Sequence, residues 1–287
     1  MWDELARDQR DRAAVGPVLR HLVGGESNAL FGDEPIARTR GMVESLADEL
    51  FRHAGREPAP SVRDPLVRAL VDVPALLGHA HALAMEAHIV ARLAEQGIDP
   101  VLPPLVQDRI GAPDPQMAAL AMTLMAAQTR YVRRQQRMEL AAGELPADLL
   151  HTCLAVAETQ FGREAASALA LVRAGYDERR GRLGVMAQLG LGLGDDFGAA
   201  LDPGQGGFSL FATALSLVTG QDRDAVVLAA ANPRPLRLAL LLALAGVEPA
   251  GREAAVLRLH PDLAVEPAWF TIDPHQAGDL LAAEHVG

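Results

Sequence analysis

Asp114-Pro-Gln-Met-Ala-Ala-Leu-Ala-Met-Thr-Leu-Met-Ala-Ala-Gln-Thr-Arg-Tyr-Val-Arg-Arg-Gln-Gln-Arg137 decides the fold class. Asp114 can accept a hydrogen bond from an orphan N–H of the first turn, and a proline at the first helical position loses nothing by lacking its own N–H. The residues after Pro115 show no β-branched alternation and no breaker. From Met117 to Ala127 the run is apolar on every side, which predicts a helix buried on several faces. From Arg130 to Arg137 it turns polar and basic, as a helix end projecting toward the surface does.

The same pattern extends outward. Aromatic residues make up 4% of the 287, and period-two alternation is absent, so strands have little to form from. Proline and glycine cut the chain into pieces of helical length. The first helix is expected from about Asp3 to Val23, and Asp33 is expected to cap the next. The Pro-rich stretch Gly55 to Ser61 reads as a loop, with Ser61 capping a short helix after it. Pro74 opens a helix that runs to about Glu95, and Pro146 opens another. Arg163 to about Leu189 reads as one segment. Gly190 to Gly207 is glycine-rich and is read as a connector or mobile loop. After it come short helices bounded by Asp222 and Asn232, Pro235 and Gly246, and Pro249 and Leu259, with a last one capped by Asp273-Pro274. The expected fold is all-α: helical hairpins stacked as a bundle or as a short HEAT-like solenoid. The expected organisation is a helical region over 1–190, a connector over 191–207 and a short-helix array over 208–287.

Composition narrows the function. Hydrophobic residues are 49% and charged residues 22%, as in a chain that folds around a core. The net charge of −11 argues against a nucleic-acid binder, which is usually basic. Every basic residue among the 26 is arginine, so Schiff-base lysine chemistry and the P-loop lysine are excluded. Cys153 is the only cysteine, which rules out an intrachain disulfide and a multi-cysteine zinc site. With no apolar signal-peptide core at the start, this predicts a cytoplasmic protein without a membrane span; the most apolar stretch, Leu236 to Val247, is too short to cross a bilayer.

Two C-terminal runs carry a resemblance. Thr219-Gly-Gln-Asp-Arg-Asp-Ala-Val-Val-Leu228 and Leu238-Ala-Leu-Leu-Leu-Ala-Leu-Ala-Gly-Val247 resemble a bacterial family of helical proteins, domain-of-unknown-function family 2336. Arg40 to Leu50 and Ala119 to Leu150 match it more loosely. The resemblance implies an all-helical, HEAT-like fold over about half of the chain. It implies no substrate, cofactor or site residue.

Candidate sites emerge from spacing. Arg130, Arg134 and Arg137 fall at i, i+4 and i+7 with Arg133 beside them, and Arg179 and Arg180 belong to a second cluster with Arg173 and Arg182. If adjacent, the two clusters would hold a phosphate or an acidic protein surface; the plainer reading is solvated helix ends paired with Glu139, Asp177 and Glu178. His81, Met85 and His88 also share one helical face, which suits a copper or zinc ion, although the His-Glu-x-x-His pattern is missing. The plainer reading is histidines bonded across a helix interface. Cys153 and His151 are two apart and cannot face each other on a helix. The leading expectation is a non-enzymatic interaction scaffold or regulator without a cofactor. Its partner is expected to be a protein, with a homodimer as a second possibility. A nucleic-acid or nucleotide binder using the arginines and a metal-dependent enzyme at His81 and His88 are the alternatives.

Overall fold

The structure, a computed structural model, describes residues 16–23, 34–264 and 266–283. The Asp3 to Val15 part of the first expected helix and the Asp33 cap lie outside the described residues. Among those described the chain is all-α with no strand. The helices are α1 (16–23), α2 (Glu34–His53), α3 (Pro60–Val71), α4 (Pro74–Glu95), α5 (Pro104–Ile110), α6 (Pro115–Gln136), α7 (Ala147–Phe161) and α8 (Arg163–Gly175). They continue as α9 (Arg182–Gly192), α10 (Phe197–Ala200), α11 (Pro203–Thr219), α12 (Arg223–Ala231), α13 (Leu236–Leu244), α14 (Pro249–Leu259) and α15 (Pro274–Ala283). Short 3-10 turns stand at Ala142–Glu144, Glu178–Arg180, Gly194–Asp196 and Pro267–Phe270. No single helix among the described residues is long and apolar enough to cross a membrane.

The helix ends obey local chemistry. Asp114, Asp222 and Asp273 accept from the first-turn N–H groups of Gln116, Ala225 and Gln276. Ser61 does not cap α3: Pro60 opens that helix, and Ala59 precedes it with no side-chain bond. α6 is less buried than its composition predicts, because only Ala121, Leu124 and Ala127 of its apolar stretch are buried and Met122 is 54% exposed. Its many alanines remove too little surface from water to force burial on the other side.

The chain divides into two units, but not at the glycine-rich stretch. The first unit comprises the described residues up to Ala84 together with Arg130–Gly184; the second comprises Met85–Thr129 and the residues from Val185 onward. The dividing lines fall inside α4, α6 and α9. Residues 191–207, expected to be a connector, lie within the second unit and carry the end of α9, α10 and the start of α11. Their glycines serve close packing. A Cβ on Gly206 would stand 3.2 Å from the Ala200 carbonyl oxygen, and Gly207, at φ +65°, would place one 3.1 Å from the Pro103 ring. Asp202 caps this turn by accepting from the Gly204 N–H at 2.7 Å.

In the first unit α2 packs on α3 and α8, and α7 packs on the same two helices. Their apolar faces meet around Met42, Leu46, Phe51, Leu66, Leu154 and Phe161. The Phe51 and Phe161 rings lie tilted with centroids 4.7 Å apart. The end of α6 docks on α2. Arg38 donates to the Gln135 carbonyl, and the Gln135 amide points at the Met42 sulfur at 3.3 Å. Met138 then takes the left-handed conformation at φ 56°, while Met138 N–H bonds the Gln135 oxygen and Glu139 N–H the Arg134 oxygen. This is the double bond of a Schellman stop, with methionine where glycine is usual. Gly41 permits the approach.

In the second unit α13 is the centre, buried from Leu236 to Ala243 and packed against α11, α12, α14 and α15. A helix apolar all round requires such a surround. One charge pair is buried in the same unit. Glu86 of α4 is fully buried and accepts two bonds from Arg223 at 2.9 and 3.0 Å and one from the Ser209 hydroxyl at 2.6 Å. Arg223 also donates to Thr213 at 2.9 Å, and Gln128 donates to Ser209 at 2.8 Å.

Gly41→Ala should destabilise by about 1–3 kcal/mol, since its Cβ would sit 2.7 Å from that of Met138. Gly78→Ala in α4, with nothing within 4 Å, should stabilise by up to about 1 kcal/mol through helix propensity. Urea midpoints that shift the same way for both would contradict this packing. Glu86→Gln should cost about 3 kcal/mol or more by leaving Arg223 uncompensated, whereas Glu86→Leu with Arg223→Met should recover most of the loss. A double variant no more stable than Glu86→Gln would contradict that account.

Candidate functional site

The six arginines singled out from the sequence do not form one patch. Arg163 to about Leu189, read as one segment, breaks after Gly175: Tyr176 is extended, and Asp177 caps the 3-10 turn by accepting from the Arg179 N–H at 3.1 Å. Arg179 and Arg180 therefore stand exposed on a turn. Arg137 lies past the end of α6, where its guanidinium forms a fork with Glu139 at 2.8 and 2.8 Å. Hydrogen bonding from Arg137 holds the Glu139 carboxyl below its usual range. Arg130 and Arg133 are exposed and form no ion pair among the described residues.

Arg134 and Arg180, one from each cluster, line a single groove in the first unit, of about 470 Å3 and open to solvent. Ligand sites span about 300–1,000 Å3, so this one is of useful size. Its polar wall carries Arg134, Arg180 and His53 against Glu49, Glu144 and Asp177; its apolar wall carries Leu150, Leu171, Val172 and Tyr176. Glu144 organises the wall. One of its oxygens accepts from Arg134 at 3.1 Å, and the other accepts from the Arg182 backbone N–H at 3.2 Å. The buried Arg182 guanidinium stacks 3.7 Å above the Tyr131 ring, whose hydroxyl donates to the Leu83 carbonyl at 3.2 Å. Glu49 accepts from the Ala142 N–H at 3.1 Å and approaches His53 at 3.4 Å. Tyr176 donates to the Leu145 carbonyl at 2.5 Å. Burial and the carboxylates of Glu178, Asp148, Glu144 and Asp177 push its phenol up to about 12. The arrangement can hold charged and apolar groups side by side.

The histidine face exists but is not gathered around a centre. His81 is half-buried, Met85 is half-buried and His88 is exposed on α4; His79 is buried. Among the described residues no three His, Cys, Asp or Glu side chains stand where they could hold one metal ion. Cys153 is fully buried on α7, and burial raises its thiol pKa to about 12, so its thiolate is scarce at neutral pH.

Sequence reasoning missed two features. Leu171 is 74% exposed on the groove wall, and its place among alternating Ala and Leu of α8 marks it as nothing unusual. Glu86 was readable: a carboxylate flanked at helical spacing by Ala82, Leu83, Ile89 and Val90 signals a buried charge awaiting a partner. Beside its network, Gln128 and Ser209 line a cavity of about 20 Å3, room for about one water.

The chain matches no family model, no curated protein and no solved structure.

The two raised acids make stability fall in alkali. The chain has no lysine, and the raised groups that act in alkali are Cys153 and Tyr176. The unfolded chain loses the Cys153 and Tyr176 protons near their ordinary values of 9.0 and 10.0, the folded chain only near 12. Their contribution is full below about pH 9 and lost as the pH rises toward 12. Urea midpoints should fall between about pH 8 and 11, less steeply in Cys153→Ala with Tyr176→Phe. A flat profile in the native chain would refute the assignment.

Proposed function

We propose that the chain is a non-enzymatic α-helical interaction protein, a scaffold or regulator, which engages a protein partner through the groove of its first unit. The observation that carries this reading is the meeting of Arg134 and Arg180, 46 positions apart in the sequence, at one open groove that the exposed Leu171 also lines. Arginine beside an exposed apolar side chain is characteristic of interface centres. The cytoplasm is the proposed compartment, where a lone buried thiol stays reduced. The resemblance of Thr219 to Val247 to a bacterial helical family, and the HEAT-like stacking it implies, belong to the same proposal.

A nucleic-acid role has one observation in its favour, the exposed Arg130 and Arg133, which form no ion pair among the described residues; the charge of −11 and the pairing of Arg134 and Arg137 with glutamates weigh against it.

The test is capture from the native cell's lysate with the whole chain as bait and Arg180→Ala as control, alongside binding of a labelled single-stranded oligonucleotide across a salt series. A stoichiometric protein retained by the native chain and lost with Arg180→Ala is the expected result. Equal retention by both chains would remove the groove from the interface. Retention of nucleic acid alone, weakening steeply with salt, would replace the protein reading. Self-association in sedimentation, abolished by the same substitution, would make a second copy the partner.

A further inference from the structure

We infer that the groove takes a peptide segment in which a carboxylate side chain sits beside a bulky apolar one; this rests on the proposed binding role of the groove. The groove's own carboxylates are already engaged. Glu144 holds Arg134 at 3.1 Å and the Arg182 N–H at 3.2 Å, Glu49 holds the Ala142 N–H at 3.1 Å, and Asp177 holds the Arg179 N–H at 3.1 Å. Arg180 is exposed, lines the groove and forms no ion pair among the described residues. Of the two guanidiniums that line the groove, Arg134 is paired with Glu144, so Arg180 is the one left to take a carboxylate, which its planar fork matches.

Leu171 supplies the second half of the recognition. It is 74% exposed, while the next residue, Val172, packs against the first unit's core. A ligand that covers Leu171 gains apolar burial that the folded chain alone leaves unmade. The two contacts divide the work. A chain of charge −11 repels an acidic segment at distance, so charge alone cannot supply affinity. The apolar contact holds the segment, and Arg180 fixes its register. A segment made only of glutamates lacks the first and is refused.

The experiment is selection of a displayed library of random twelve-residue peptides on the full chain. Single binders are then measured by fluorescence anisotropy on the native chain, Arg180→Ala and Leu171→Ala. Both side chains are exposed, and thermal melts check that the variants fold. Enriched peptides that share Asp or Glu beside Leu, Ile, Val or Phe, and that lose about tenfold in affinity with either variant, are the expected result. Replacing the shared acid by its amide should weaken binding as much as Arg180→Ala does, and a nonaglutamate peptide should not bind. Peptides without an acidic residue that still depend on Leu171 would overturn the inference and leave the groove as a binding site. Enriched peptides indifferent to both substitutions, or no enrichment at all, would overturn the inference together with the proposed role of the groove.

Discussion

The carboxylate of Glu144 joins two stretches of chain that the sequence keeps far apart. It accepts from Arg134 at the end of α6 and from the backbone N–H of Arg182 at the start of α9. With the stacking of Arg182 on Tyr131, it ties the segment that carries Arg180 to the helix that carries Arg134. Bonds to a charged acceptor contribute about 1.5–3 kcal/mol each. Glu49 repeats the device one step away by holding the Ala142 N–H. Each carboxylate anchors a main-chain donor at the first residue of a helical element, where no preceding carbonyl of that element satisfies it.

The groove also depends on how α6 stops. Met138 in the left-handed region turns the chain through Glu139 and Leu140 into the Ala142–Glu144 turn, and so delivers Glu144 to its partners. A non-glycine residue in that region is costly by about 1 kcal/mol. The cost is offset by Gly41 of α2, whose missing side chain admits the turn, and by the bond from Arg38 to the Gln135 carbonyl. A stop that looks polar and ordinary in sequence is thus held in place by packing against another helix.

The two units answer the problem of charge differently. In the second, Glu86 and Arg223 are enclosed together and every oxygen of the carboxylate is bonded, the condition under which a buried ion pair is tolerated. In the first, one arginine of each cluster, Arg134 and Arg180, lines the groove. Arg134 and Arg137 are neutralised by neighbours, while Arg180 is left for something else. That contrast between a closed pair and an open one separates a structural charge from one available for recognition.

The sequence by itself determined the all-α class, the caps at Asp114, Asp222 and Asp273, the helix bounds around Pro74, Pro249 and Gly246, and the single thiol. All of these rest on contacts within a few residues, where spacing and backbone chemistry suffice. It did not determine which residues meet. The glycines of 191–207 read as mobility because composition cannot reveal that Ala200 and Pro103 press against them. Arg130, Arg134 and Arg137 read as one face because helical spacing assumes a helix, and α6 ends at Gln136. Only tertiary structure decided that Arg134 shares a groove with Arg180 and that Glu86 has Arg223 to pair with. Those pairings join residues 46 and 137 positions apart, a separation over which local periodicity carries no information.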